Sequence, residues 1–564
     1  MTVKSLLCLA ICTAAIGCSR EQSTPAQTPS PNVAPASTPI APGWTAEERS
    51  RFYHLSEGSA IFPLAWLESI EAEDADASGK KTLHPITDRY AQWGIIPDGA
   101  GPDNPYGLPV GFTVMKLGKI RWMGVNCAAC HVGEITYKGN RLRVDGGPNM
   151  VLPLFDVMAA LQAALTETKS SPSRMLRFAD RVWTWSKAHP DQDDLPTRPT
   201  LEDLKLLGSG IKTAKGFPIL AATVGTTAGH GRIDAFGFAR NLIFNEKDNL
   251  RRIDAPVSTP DIWDMEHTAW LHWGANTNSI IERNLGQALA TGVTYDPKTY
   301  DSTIDFPAAH TLETLGYKLR RPPWPEKVFG TIDRARAERG RVLFNASCAS
   351  CHESPMQTTA TGLKVYKLFS PKEVGTDSAA AVNFDQPVTV DGVTAPFPHA
   401  VLGVLRNIKQ AYYRRNTVPA ETQALWESRA TRPLADWAPI LRATLGDSAK
   451  YDDTRGGKVY PAKPLGAAWA TAPYLHNGSV PTIYHLLLPA AQRPRTFHVG
   501  QRELDPVHLG YLESAGAQMP TAFELDVSQP GNSNAGHEYG TTWTDEQRFD
   551  LIEYLKALQP GTGS

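Results

Sequence analysis

Thiols are scarce in this sequence outside three short places. Of seven cysteines in 564 residues, Cys8, Cys12 and Cys18 fall in the first twenty, and the other four sit in two five-residue stretches. Nothing is left over for a disulfide framework or a lone catalytic thiol. An excess of charge is also missing: a formal net charge of −2 with no long basic run argues against a nucleic-acid partner. After residue 20 no run of 18 apolar residues occurs, so no later segment is built to span a bilayer. No Gly-rich phosphate loop and no convincing Ser/His/Asp arrangement stands out. What remains has ordinary globular proportions, 41% hydrophobic and 20% charged, and 44 prolines with 45 glycines imply many turns and loops.

The two cysteine-bearing stretches carry the chemistry. "WMGVNCAACHVGEITY" (122–137) holds Cys127, Cys130 and His131, and "RGRVLFNASCASCHESP" (339–355) holds Cys348, Cys351 and His352. C-x-x-C-H has three readings: covalent attachment of a c-type haem, a redox-active disulfide, or half of a zinc site. Haem chemistry uses every position. Two thiols on one helical turn form thioethers to the vinyl groups, and the next histidine lies beneath the iron as proximal ligand. A disulfide motif needs no histidine, and zinc ligand pairs usually lie much closer in sequence than about 220 residues.

The address agrees. "MTVKSLLCLAICTAAIGCSR" has one early lysine, an apolar run from Leu6 to Ile16 and a small-residue end, the pattern of a bacterial export signal. Ala15-Ile16-Gly17-Cys18 resembles a lipoprotein box in which cleavage leaves Cys18 as the lipid-bearing first residue. The sequence therefore predicts an exported protein, a periplasmic or outer-membrane lipoprotein of a Gram-negative bacterium, held to a membrane only by its lipid.

About 547 residues follow the leader, enough for two or three cores. Glu21–Pro42 is nearly all Pro, Ser, Thr, Ala and Gln, so 18–43 reads as a lipid-bearing Cys18 and a disordered tether, with order starting near Trp44. Around the first motif, β-forming sequence and a hairpin signal at Lys138-Gly139-Asn140 predict an elaborated haem domain over 44–328. Helices are predicted at Val151–Thr166 and Ser173–Ala188, then loop-rich sequence to about Arg320. "RRPPWPEKVFGT" marks a boundary, and 329–564 reads as a cytochrome c-like domain. Its opening helix runs into Cys348, and its closing helix is capped by Thr544 with Gln547 three residues on. The predicted fold class is mainly α: two cytochrome c-like haem domains with long loops and a minor β-hairpin element.

"GVNCAACHVG", "DGGPNMVLPLFD", "RIDAFGFARNLIFN", "RNLGQALATG", "FNASCASCH", "TAPYLHNGSVPTIYHLLLPAAQRPRTFHVG" and "GHEYG" together resemble the dihaem cytochromes related to bacterial cytochrome c peroxidases, in particular their rubber-oxygenase-like branch. The resemblance implies a division of labour. The first haem, with His131 as proximal ligand, meets dioxygen or hydrogen peroxide on an open distal face. The second, with His352, is a six-coordinate electron-transfer centre. Its other axial ligand is sought in His537, with His476 and Met519 as alternatives; a second role for His476 is a hydrogen bond to a haem propionate. Trp263, within the cluster Trp263, Trp270 and Trp273, matches a haem-adjacent tryptophan of that branch. The same segment offers Glu266, His267 or His272 to a distal pocket.

The two motifs predict two covalently bound c-type haems, and the resemblance implies a haem-dependent oxidoreductase of oxygenase or peroxidase type. Its partners are a small oxidant, an apolar organic substrate and a redox protein. The alternative is a membrane-tethered electron carrier without substrate chemistry.

Overall fold

A computed structural model describes residues 37–40, 42–75, 78–118, 120–189, 223–277, 280–353, 357–358, 363–427, 458–512 and 522–558. Cys18 and Met519 lie outside them. Ala36–Ser564 forms one compact unit.

Among the described residues there are 17 α-helices and nine sheets, two of them three-stranded and the rest pairs. The class is therefore mixed α and β, not mainly α with a minor hairpin. Between the longer helices, prolines and glycines cut the chain into short runs, and these pair as two- and three-stranded sheets.

The first motif sits between two hairpins. Phe112–Leu117 pairs with Ile120–Val125, and Val132–Tyr137 pairs with Asn140–Asp145 in the register Tyr137↔Asn140. The second hairpin turns at Lys138 and Gly139, both at positive φ, as the sequence pattern predicts. A parallel strand, Thr38–Pro39, adds to Asn140–Asp145, and Ile40 N donates to Arg143 O at 3.0 Å. The folded body thus begins before Trp44.

Helices Leu154–Ser170 and Pro172–Ala188 fall where expected. The stretch read as loop does not. It contains helices Ala235–Ile243, Ile280–Ala290 and Phe306–Lys318. The first and third begin with an Asp side chain accepting from a backbone N–H, Asp234 from Gly237 and Asp305 from Ala308. Helix Phe397–Asn416 joins the first two, with Leu285, Leu289, Val401, Leu405 and Ile408 in a shared core.

The second motif ends helix Arg334–Ser347, which crosses the closing helix Asp545–Ala557. Gly340 makes the crossing close: a Cβ there would lie 2.0 Å from Asp550 O. Beside it Arg339 grips the Asp550 carboxylate with Nε and a terminal nitrogen at 2.8 and 2.7 Å. The expected boundary near 325–332 is no gap in packing. Trp324 meets Trp469 edge-on at 5.6 Å, and one apolar core includes Tyr53, Val132 and Trp263 together with Trp469, Ile552 and Leu555.

Candidate functional site

The first C-x-x-C-H is a single helical turn, Ala128–His131, closed by His131 N donating to Cys127 O at 2.9 Å. Two asparagines hold it. Asn126 Oδ1 accepts from Ala128 N at 2.9 Å, and its Nδ2 donates to Phe52 O and Leu55 O at 2.8 and 3.0 Å. From the other side Asn149, in "DGGPN", donates its backbone N–H to Cys130 O and its amide to Ala129 O. That stretch is therefore scaffold for the turn.

His131 Nδ1 donates to Pro260 O at 2.9 Å, which leaves Nε2 as the nitrogen with a lone pair. Burial, then the Arg283 charge, push its pKa down to about 4, so the ring is neutral and ready to ligate. Burial pushes the Cys127 thiol up to about 12 and Cys130 to about 11. Thiols held protonated are poor participants in disulfide exchange. Among the described residues no group of three or more His, Cys, Asp or Glu side chains is placed to hold a metal ion, so a four-cysteine zinc site does not form.

Cys127, Cys130 and His131 open into a cavity of about 320 Å³, lined mainly by apolar side chains. Its wall draws on helices Ala235–Ile243, Ile280–Ala290 and Phe397–Asn416, through residues such as Phe236, Gly286 and Leu405, and on the loop carrying Trp263, Trp270, His272 and Trp273. Volume and lining suit a bulky, largely apolar cofactor.

His272 reaches this cavity; Glu266 and His267 do not line it, Glu266 pairing with Arg320 nearer the surface. His272 Nδ1 is buried without a hydrogen-bond partner, and burial, then Arg283, push its pKa down to about 3. Gln287 Nε2 donates to Cys127 Sγ at 3.3 Å and faces Glu57 at 3.5 Å. Glu57 is 1% exposed, and burial raises its pKa to about 8 against the Arg283 charge.

The second motif is built the same way but is more open. His352 Nδ1 donates to Lys463 O at 2.7 Å. Its ring faces His537, centroids 6.1 Å apart. His537 N donates to Val374 O at 2.9 Å, and Arg493 binds the carbonyls of Asn534 and Gly536, fixing the loop that presents the ring. Burial, then His352, push His537 down to about 4. His476 does not face His352 in this way. It stacks on Tyr460 at 4.2 Å, with Nε2 buried and unpartnered, and its carbonyl accepts from Ser258 N.

Trp263 stands between the two motifs' surroundings. It is 2% exposed, its Nε1 donates to Asp145 O at 2.7 Å, and it lines the first cavity. Gly146 makes room for it, since a Cβ there would come within 2.8 Å of the indole. Arg321 covers the ring at 5.8 Å and donates to Gly466 O, three residues after the Lys463 that holds His352.

The sequence reading missed Asn126, Glu57, Arg283, Gln287 and Lys463. Only Asn126, directly before Cys127, carried a usable signal, as a polar residue next to a turn that needs capping.

Residues 459–498, which include Lys463, His476 and Arg493, match the family model described as RoxA-like, cytochrome c-like. The chain therefore contains a cytochrome c-like region of RoxA-like type, which implies a covalently bound c-type haem and a haem-based redox role. The chain is also similar to two proteins of Sinorhizobium fredii (strain NBRC 101917 / NGR234). It is 28% identical to the uncharacterized protein y4iJ over 581 residues, 91% of this chain and 92% of that one. It is 28% identical to y4iM over 317 residues, 53% of this chain and 63% of that one.

Proposed function

We propose that the chain is an exported, lipid-anchored dihaem redox enzyme. One haem is held at Cys127, Cys130 and His131, and the other at Cys348, Cys351, His352 and His537, in two haem-carrying halves, 44–328 and 329–564. A haem bound at the first motif supplies a redox-active iron to which dioxygen or hydrogen peroxide can add. The observation that carries this reading is the asymmetry of the two sites. His352 has a second histidine ring facing it, whereas His131 opens into a large, apolar cavity.

The residues divide the work. Pro260 and Lys463 carbonyls orient the two proximal rings and fix their tautomers. Apolar helix faces exclude water from the first cavity, which favours an apolar organic substrate. Glu57, protonated at neutral pH and joined to the Cys127 edge through Gln287, is a proton store beside that cavity. Trp263 and its Arg321 cover lie on the route for electrons arriving from the second site. His131 and Trp263 are the residues on which turnover depends.

One observation favours the carrier reading: His272, on the wall of the first cavity with an unbonded ring nitrogen, is available as a sixth ligand. Visible and EPR spectra of the oxidised protein, with and without cyanide or peroxide, separate the two. The enzyme reading expects two covalent haems, one low-spin and inert, one changed by the added ligand. Two low-spin irons that ignore both reagents, in the fully oxidised and half-reduced states, replace it with the carrier.

A further inference from the structure

Two cations, one on the wall of the first cavity and one in the layer behind it, have carboxylate partners. Arg321 Nε lies 2.8 Å from Asp264, and Lys409, reaching Glu282 of the wall, pairs with it at 2.6 Å. Lys463 is different. No carboxylate among the described residues lies within ion-pair distance of its Nζ, which sits 4.0 Å above the Trp273 ring on the cavity wall. Lys463 is half-buried, and a charge drawn away from water is normally paired, because its desolvation otherwise goes uncompensated. A cation–π contact offsets only part of that.

We propose that Lys463 serves both haem sites at once: its main-chain carbonyl orients His352, and its ammonium group pairs with a propionate of the haem held at Cys127 and Cys130. The inference rests on the dihaem reading.

Chemistry favours Lys463 over Arg283, the other wall cation with no carboxylate so close. A haem's propionates lie on the edge away from its thioethers. Arg283 is on the thioether side: Gln287, one helical turn on, touches the Cys127 sulfur at 3.3 Å. Lys463 sits instead beside Trp273, whose Nε1 donates to Ser258 O, and Ser258 N donates to His476 O. One residue thus belongs by its backbone to the second site and by its side chain to the first.

A positive charge beside a haem favours the reduced iron, so losing it makes reduction harder. The test uses the full haem-loaded chain as wild type, K463M and K463R. Haem content is counted by pyridine haemochrome, the second iron is followed by its low-spin EPR signal, and each haem's midpoint potential is measured by spectroelectrochemical titration. K463M should keep two haems and the low-spin signal, because the carbonyl on His352 is unchanged. The midpoint of the first haem should shift to more negative values, and K463R should return it towards wild type. If K463M does not accumulate, K463Q, neutral but polar, gives the same readout. Two haems with unchanged midpoints, or a shift confined to the second haem, overturn the inference and leave the dihaem reading intact. Wild-type protein carrying one haem overturns both.

Discussion

His352 and His537 face each other with ring centroids 6.1 Å apart. With a metal–nitrogen bond of about 2 Å on each side, and about 1.2 Å from nitrogen to ring centre, one iron between two imidazoles needs roughly 6.4 Å. Both rings are kept neutral by burial, which suits ligation. Replacing His537 by alanine should therefore convert the second iron from low-spin to high-spin while the first keeps its signal. EPR of the oxidised variant checks this. An unchanged low-spin signal would pass the axial role to His476 or Met519.

This pairing could be read in the sequence only as one option among three, because "NAGHEYG" carries no periodicity that says where it packs. The Lys138-Gly139 hairpin and the Thr544 cap were readable because local backbone chemistry dictates them. Helices Ala235–Ile243 and Ile280–Ala290 were not, because they are short and rich in Gly, Ala and Asn. What stabilises them is tertiary: Asn383 bonds the Asp234 cap, and Lys409 reaches Glu282. Lys463 lies between two prolines in "PAKPLG" and looks like any loop lysine until the fold brings Trp273 and His352 to it.

The Asn126 side chain makes three hydrogen bonds at 2% exposure, two from its amide to the Phe52 and Leu55 carbonyls at the end of helix Ala46–His54 and one into the haem turn. Asn126→Ala leaves those groups buried and unmatched, at a cost of roughly 2–4 kcal/mol. Chemical denaturation should show that loss, and haem attachment at the first motif should fall while the second keeps its haem. Full stability in the variant would mean that Asn149 alone holds the turn.

Glu57 gives a pH signature. Burial raises its pKa from 4.5 to about 8, with Arg283 opposing. Between those values the folded state binds a proton that the unfolded state has released. The group's contribution to stability is therefore complete below about pH 4.5 and is lost as pH rises through 8. Glu57→Gln should match wild type near pH 4.5 and exceed it at pH 8 by at most about 4 kcal/mol. Urea titrations at the two pH values measure this. A variant weaker than wild type at pH 8 would mean that Glu57 is ionised and paired with Arg283.

The last prediction concerns Trp263, which packing alone could explain. Its indole fills the space above Gly146 and donates to Asp145 O, so Trp263→Phe should cost about 1–2 kcal/mol through the lost hydrogen bond and the smaller ring. A purely structural role ends there. If the indole lies on the route between the haems, a second effect follows that stability does not predict. Both irons should keep their wild-type spectra, because neither Pro260 nor Lys463 is touched. Reduction of the first haem by electrons entering at the second should nevertheless slow. Rapid mixing with a reductant, each haem followed at its own wavelength, measures that rate. Reduction at the wild-type rate in a destabilised variant would return Trp263 to packing and leave the electron route to be sought through Trp273 and Lys463.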